Sequence, residues 1–148
     1  MSSSNLEPGY CFERELLLTE VEIIAGARFL GDRNPLHNDP LAAAQSRFKG
    51  LIACGPHVSG IHACMLPTRC TELGYDVLGT VFTVRYTAPV LAQVRYKLAW
   101  TITTVTEHRN GGHFIDWTGT ITNPNTNYNS VEATGQILAT PSAGRRVQ

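Results

Sequence analysis

From Gly79 onward the chain stops spacing its apolar residues as a helix does and begins to repeat them every second residue. Segments 81–86, 94–105, 114–122 and 131–138 are rich in threonine, valine, isoleucine and aromatic side chains, which favour a pleated surface. Gly111-Gly112 and Asn123-Pro124-Asn125-Thr126-Asn127 supply turn residues between them, so neighbouring strands should run antiparallel. Upstream, Val58, Ile61, Ala63, Cys64, Met65 and Leu66 leave segment 56–66 apolar around most of a helical circumference, the pattern of a helix buried on nearly all sides. Pro67 is expected to end it, because proline removes an internal hydrogen bond and crowds the preceding turn. One buried helix followed by a long antiparallel sheet predicts an α+β chain in which the sheet wraps around the helix.

Nothing divides the chain, which at 148 residues fits a single domain burying roughly 68–70% of the surface its unfolded form exposes. Short loose tails are expected at about 1–9 and 141–148. Charged residues make up only 16% of the sequence, which suggests that a second subunit covers part of the surface, as a homodimer or higher homo-oligomer. Twelve basic residues balance twelve acidic ones, so no overall field attracts nucleic acid or an anionic membrane. No apolar run approaches the ~20 residues that span a bilayer, and the first residues lack the pattern of a leader, so a soluble, cytoplasmic protein is expected. Cys11, Cys54, Cys64 and Cys70 form no C-x-x-C pair and are expected to be reduced and mostly buried.

In the first half, 10–18 reads as extended, and Thr19-Glu20-Val21-Glu22 matches a capping box that starts a helix. Val21, Ile24 and Ala25 share one face of that helix, which runs to about Phe29 with Gly31 as its stop. The turn-forming segment Phe29-Leu30-Gly31-Asp32-Arg33-Asn34-Pro35-Leu36-His37-Asn38-Asp39-Pro40 follows and is read as a loop that resists helix. A short helix is expected over 41–48, with Asp39 as its cap. Gly55 should cap the buried helix and Pro56 should occupy its first turn.

The loop carries a carboxylate and an imidazole five residues apart, Asp32 and His37. Proline restricts the residue before it, so Asn34-Pro35 constrains the turn and lets the two side chains converge. Facing each other, they can hold a water and move its protons. Asp32 could instead be an ordinary turn residue and His37 a satisfied imidazole; Asn34 is expected mainly to shape the loop. The N–H of Gly55, at the positive end of a helix, can serve a developing anion, although a glycine there also suits close packing. His57 is expected to line the pocket or to bond a nearby carbonyl. Cys54, His57 and His62 with Asp32 or Asp39 match no common zinc spacing, so no metal is expected. Lys49, Arg85, Arg95 and Lys97 could meet phosphates, but solvated charges are the default.

Gly31-Asp32-Arg33-Asn34-Pro35-Leu36-His37, then Asp39-Pro40, Ala43 and the run from Phe48 to Gly55, resemble the signature of the MaoC-like, (R)-specific enoyl-CoA hydratase family. The resemblance implies a single hot-dog domain and a hydro-lyase that adds water reversibly to the 2,3 double bond of an enoyl thioester. It implies that Asp32 and His37 are catalytic, that the Gly55 N–H is the oxyanion hole, and that Asn34 and His57 shape the site. No cofactor is implied beyond the coenzyme A or acyl-carrier arm of the substrate. The sequence departs from the family pattern at Leu30, at Cys54 and Pro56 on either side of Gly55, and at Ala92-Gln93, so the acyl group accepted is left open. Two alternatives stand beside this reading: a hot-dog acyl-thioesterase, disfavoured because 56–66 carries no acidic residue, and a non-catalytic acyl-binding or assembly module.

Overall fold

The computed structural model describes residues 6–144. Strand β1 (Cys11–Leu17) leads into helix α1 (Glu20–Phe29), the one-turn helix α2 (Pro35–Asn38), α3 (Pro40–Gln45) and the long helix α4 (Gly55–Glu72). Four strands follow: β2 (Tyr75–Tyr86), β3 (Arg95–Glu107), β4 (His113–Asn123) and β5 (Tyr128–Pro141). The capping box forms as its residues require. Thr19 Oγ1 accepts from the Glu22 N–H at 3.2 Å and Glu22 Oε2 accepts from the Thr19 N–H at 2.8 Å.

All strand pairs are antiparallel, in the order β1-β3-β4-β5-β2. Strands β3, β4 and β5 pair with their neighbours in sequence, as turn chemistry predicts. Strand β2 does not: it crosses the sheet and pairs with β5, from Tyr75 opposite Pro141 to Tyr86 opposite Val131. It also begins well before residue 81, with a register shift between Gly79 and Val81 that breaks the period-two pattern.

Helix α4 packs against β2 and β5. Two hydrogen bonds tie it to β3. The Trp100 indole N–H donates to the His62 carbonyl at 2.8 Å, and His62 Nε2 donates to the Ala99 carbonyl at 3.0 Å. The two rings stack with centroids 4.2 Å apart, and both residues are fully buried. Gly119 leaves room for the Trp100 indole, since a methyl group there would lie 2.5 Å from it.

Three expectations about elements are corrected. Helix α4 is buried on one face, through Val58, Ser59, His62, Met65, Leu66 and Cys70, while Cys64 is exposed. It continues through Pro67 to Glu72, because the turn beyond the proline buries Cys70 and lets Arg69 bond the Tyr10 hydroxyl. Helix α1 buries Ile23 and Ala27, and Val21 is 77% exposed; a helix apolar on several sides does not announce which side meets the sheet. Of the expected tails, 1–5 and 145–148 lie outside the described residues. Leu6 is buried, the Gly9 N–H donates to the Ile102 carbonyl, and β5 extends to Pro141. Two of the four cysteines, Cys54 and Cys70, are buried, whereas Cys11 and Cys64 are exposed. No helix among the described residues is long and apolar enough to cross a membrane.

Candidate active site

The end of α1 sets the position of Asp32. Gly31 takes a left-handed φ of 75°, its N–H donates to the Arg28 carbonyl, and the Asp32 N–H reaches back to the Ala27 carbonyl at 2.9 Å. These two bonds form a Schellman motif, which stops a helix and satisfies its last carbonyls. Asp32 is thereby held at the helix end, and its Oδ1 accepts from the Asn34 N–H at 2.9 Å. The turn role expected for Asp32 is therefore filled by one carboxylate oxygen. The other remains available.

Asn34 caps α2, with its side chain accepting from the Leu36 N–H, and Pro35 stands in the first turn. The segment read as resisting helix thus contains one helical turn, because proline is excluded from a helix interior but not from its start. That turn carries His37, which is 9% exposed. The imidazole Nδ1 lies 2.7 Å from the Ile52 carbonyl, and a carbonyl can only accept, so Nδ1 bears the proton. In neutral His37, Nε2 is then a free lone pair, 3.8 Å from Asp32 Oδ2. Asn38, which sequence reasoning passed over, braces the turn by donating to the carbonyls of Asp32 and Asn34. Asp39 caps α3 as expected, accepting from the N–H groups of Leu41 and Ala42.

The chain then runs beside the loop, with the Ile52 N–H on the Leu36 carbonyl and the Ala53 N–H on the Val90 carbonyl. Cys54 proves to be the cap of α4 and Gly55 its first residue, so the helix starts one position earlier than expected. The Gly55 N–H is one of the free donors of a helix start and has no hydrogen bond among the described residues. The absence of a side chain there lets the Tyr86 ring lie close, since an added methyl would stand 2.8 Å from Tyr86 Cζ and displace it. Cys54 makes no capping bond, and burial pushes its thiol above the ordinary range. A cavity of about 540 Å3 is lined by His37, Gly55, Val58, Tyr86, Val90 and Val131 among others. Asp32 is not in its wall and stands at the edge of the imidazole.

His57 is not in the wall either. Its ring packs on α1, where a methyl on Gly26 would lie 2.2 Å from Nδ1, and burial pushes its pKa down. The helix start contributes Gly55, Pro56 and Val58 to the cavity, while His57 turns to α1. His62 is occupied in the core, so the histidines and Cys54 do not converge, and no group of three or more potential ligands forms among the described residues. Arg95 and Lys97 pair with Glu15 and Glu13 across β1 and β3, and neither lines the cavity. Arg47, not singled out by sequence, borders the cavity with its guanidinium 4.7 Å from the Phe48 ring centroid. Arg47 has no local signal marking it as part of the site, since only folding brings it there, whereas Tyr86 is one of the alternating aromatics read as sheet core or pocket wall, and it lines the cavity.

A five-stranded antiparallel sheet laid over a long helix is the hot-dog fold. The chain belongs to the MaoC like domain family, which matches residues 3–123. Similar solved structures include an (R)-hydratase from A. caviae involved in PHA biosynthesis, at TM-score 0.79 and 20% identity, over 90% of this chain and 97% of that one. The R-hydratase PhaJ1 from Pseudomonas aeruginosa aligns at TM-score 0.81 and 24% identity, over 95% and 86%. The C-terminally truncated HadBC 3R-hydroxyacyl-ACP dehydratase complex from Mycobacterium tuberculosis aligns at TM-score 0.74 and 16% identity, over 92% and 98%. No curated protein matches the chain.

Proposed function

We propose that the protein is a hydro-lyase that adds water reversibly across the 2,3 double bond of an enoyl thioester, as an enoyl-CoA hydratase or 3-hydroxyacyl dehydratase. The observation that carries this reading is the 3.8 Å separation of Asp32 Oδ2 and His37 Nε2, with Nδ1 committed to the Ile52 carbonyl. Two acceptors at that distance suit a single water donating one hydrogen to each, through ordinary bonds of about 2.8 Å. As the water oxygen bonds C3, one of its protons passes to the pair and a proton is returned to C2. Negative charge builds on the thioester oxygen during this addition. The Gly55 N–H, at the start of an 18-residue helix, is a donor suited to that oxygen.

Thioester hydrolysis fits less well, because the first turn of α4 has no acidic residue and the helix carries only Glu72, ion-paired to Arg69 at the far end. The substrate would bring coenzyme A or an acyl-carrier arm. We further propose a homo-oligomer, since among the described residues β2 has one unpaired edge and exposes Leu78 at 68% and Val81 at 57%.

The reading is tested by mixing purified protein with crotonyl-CoA and longer enoyl-CoA esters and following the conjugated enoyl absorbance. The wild type should consume it, and Asp32→Asn and His37→Ala should each slow the reaction roughly 100- to 10,000-fold. No hydration at any chain length would sink the reaction class, whereas full activity in both variants would sink the site.

A further inference from the structure

Tyr86 ends β2 on the face of the sheet that looks at α4, and it is held to that helix at two places. Its ring lies against Gly55: a methyl built there would be 2.8 Å from Cζ, 3.0 Å from Cε1 and 3.1 Å from Cε2. Its hydroxyl lies 2.8 Å from Ser59 Oγ, one helical turn further on. Ser59 is 6% exposed, and among the described residues its hydroxyl has one other hydrogen-bond partner, the Pro56 carbonyl at a marginal 3.5 Å. A serine buried beside Val58 does nothing for a helix, and its bond to Tyr86 accounts for it. Tyr86 itself is 49% exposed and borders the cavity that also holds His37.

We propose that Tyr86, pinned upright by Ser59, is a specificity-determining residue: its ring is the wall past which an acyl group must enter beside Gly55, and it limits the length and branching accepted. This rests on the enoyl-thioester reading of the site and narrows its substrate. The pin matters because a phenol fixed only by its ring could swing about its side-chain torsions, and a wall that swings does not discriminate. The hydroxyl pair holds the wall without touching the reacting atoms.

The test uses binding, so that it does not depend on turnover. Dissociation constants for saturated butyryl-, hexanoyl-, octanoyl- and decanoyl-CoA, together with 2-methylbutyryl-CoA, are measured by calorimetry for the full-length protein and its variants. Tyr86→Phe and Ser59→Ala should each change the preference between short and long chains in the same direction by roughly fivefold, the worth of one hydrogen bond. Their double variant should change it no further, because both remove one bond. Tyr86→Ala should shift preference toward the longer and branched esters by about tenfold or more. If Tyr86→Ala does not fold, the two conservative variants decide the matter. Variants that lose thermal stability but keep the wild-type order and ratios would overturn the proposal, as would independent, additive effects of the two single changes. A wild type that binds the series but fails to hydrate crotonyl-CoA would remove the proposed reaction and leave the wall standing. A wild type that binds no ester would remove both.

Discussion

Folding alters His62 more than it alters any residue at the cavity. Burial pushes its pKa down to about 4 from an ordinary 6.5, because the ring is enclosed between α4 and Trp100 and a charge there would be poorly solvated. Below pH 6.5 the unfolded chain therefore binds a proton that the folded chain refuses. Stability should fall as the pH drops from 6.5 toward 4 and level off below, with a total loss of roughly 3 kcal/mol from this residue. Burial lowers the pKa of His57 as well, which acts in the same direction. Urea midpoints between pH 7 and 4 should show the slope, and His62→Phe, which keeps a ring on Trp100, should flatten it. An unchanged slope in that variant would dismiss His62 as its source. The pairing of Asp32 and His37 was visible as a spacing. The state of His37 was not, since it depends on a carbonyl fifteen residues away.

Helix α1 has two ends that do different work. Its start is closed by Thr19 and Glu22, so Thr19→Ala should cost about 1 kcal/mol in denaturant unfolding and leave crotonyl-CoA kinetics unchanged. Its other end holds Asp32. Gly31→Ala forces a side chain into φ 75° and should cost roughly 1–2 kcal/mol while also lowering kcat, because the Schellman bonds that position Asp32 are disturbed. Equal kinetics in the two variants would separate the helix end from the site. Both caps of α1 were legible, since capping acts among residues three to five apart. The continuation of α4 past Pro67 was not: what holds its last turn is Cys70 in the core and Tyr10 on a distant segment.

At the scale of the whole molecule, the sheet ends in β2, twelve residues long and, among the described residues, paired on one side only. An edge of that length with exposed Leu78 and Val81 is suited to meeting a second copy. Light scattering should report a dimer or larger assembly, and Leu78→Lys with Val81→Lys should shift it toward monomer. A wild type that is monomeric at all concentrations would refute the edge as an interface. The period-two strands, the caps of α1 and α3, the turns and the spacing of Asp32 and His37 were determined by sequence alone, because each arises between residues a few positions apart. Tertiary structure alone decided that β2 pairs with β5, that the Ile52 carbonyl selects the His37 tautomer, that His57 turns to Gly26, and that Tyr86 stands over Gly55. Each of those joins residues separated by about fifteen positions or more, where no local preference acts and only close packing can choose.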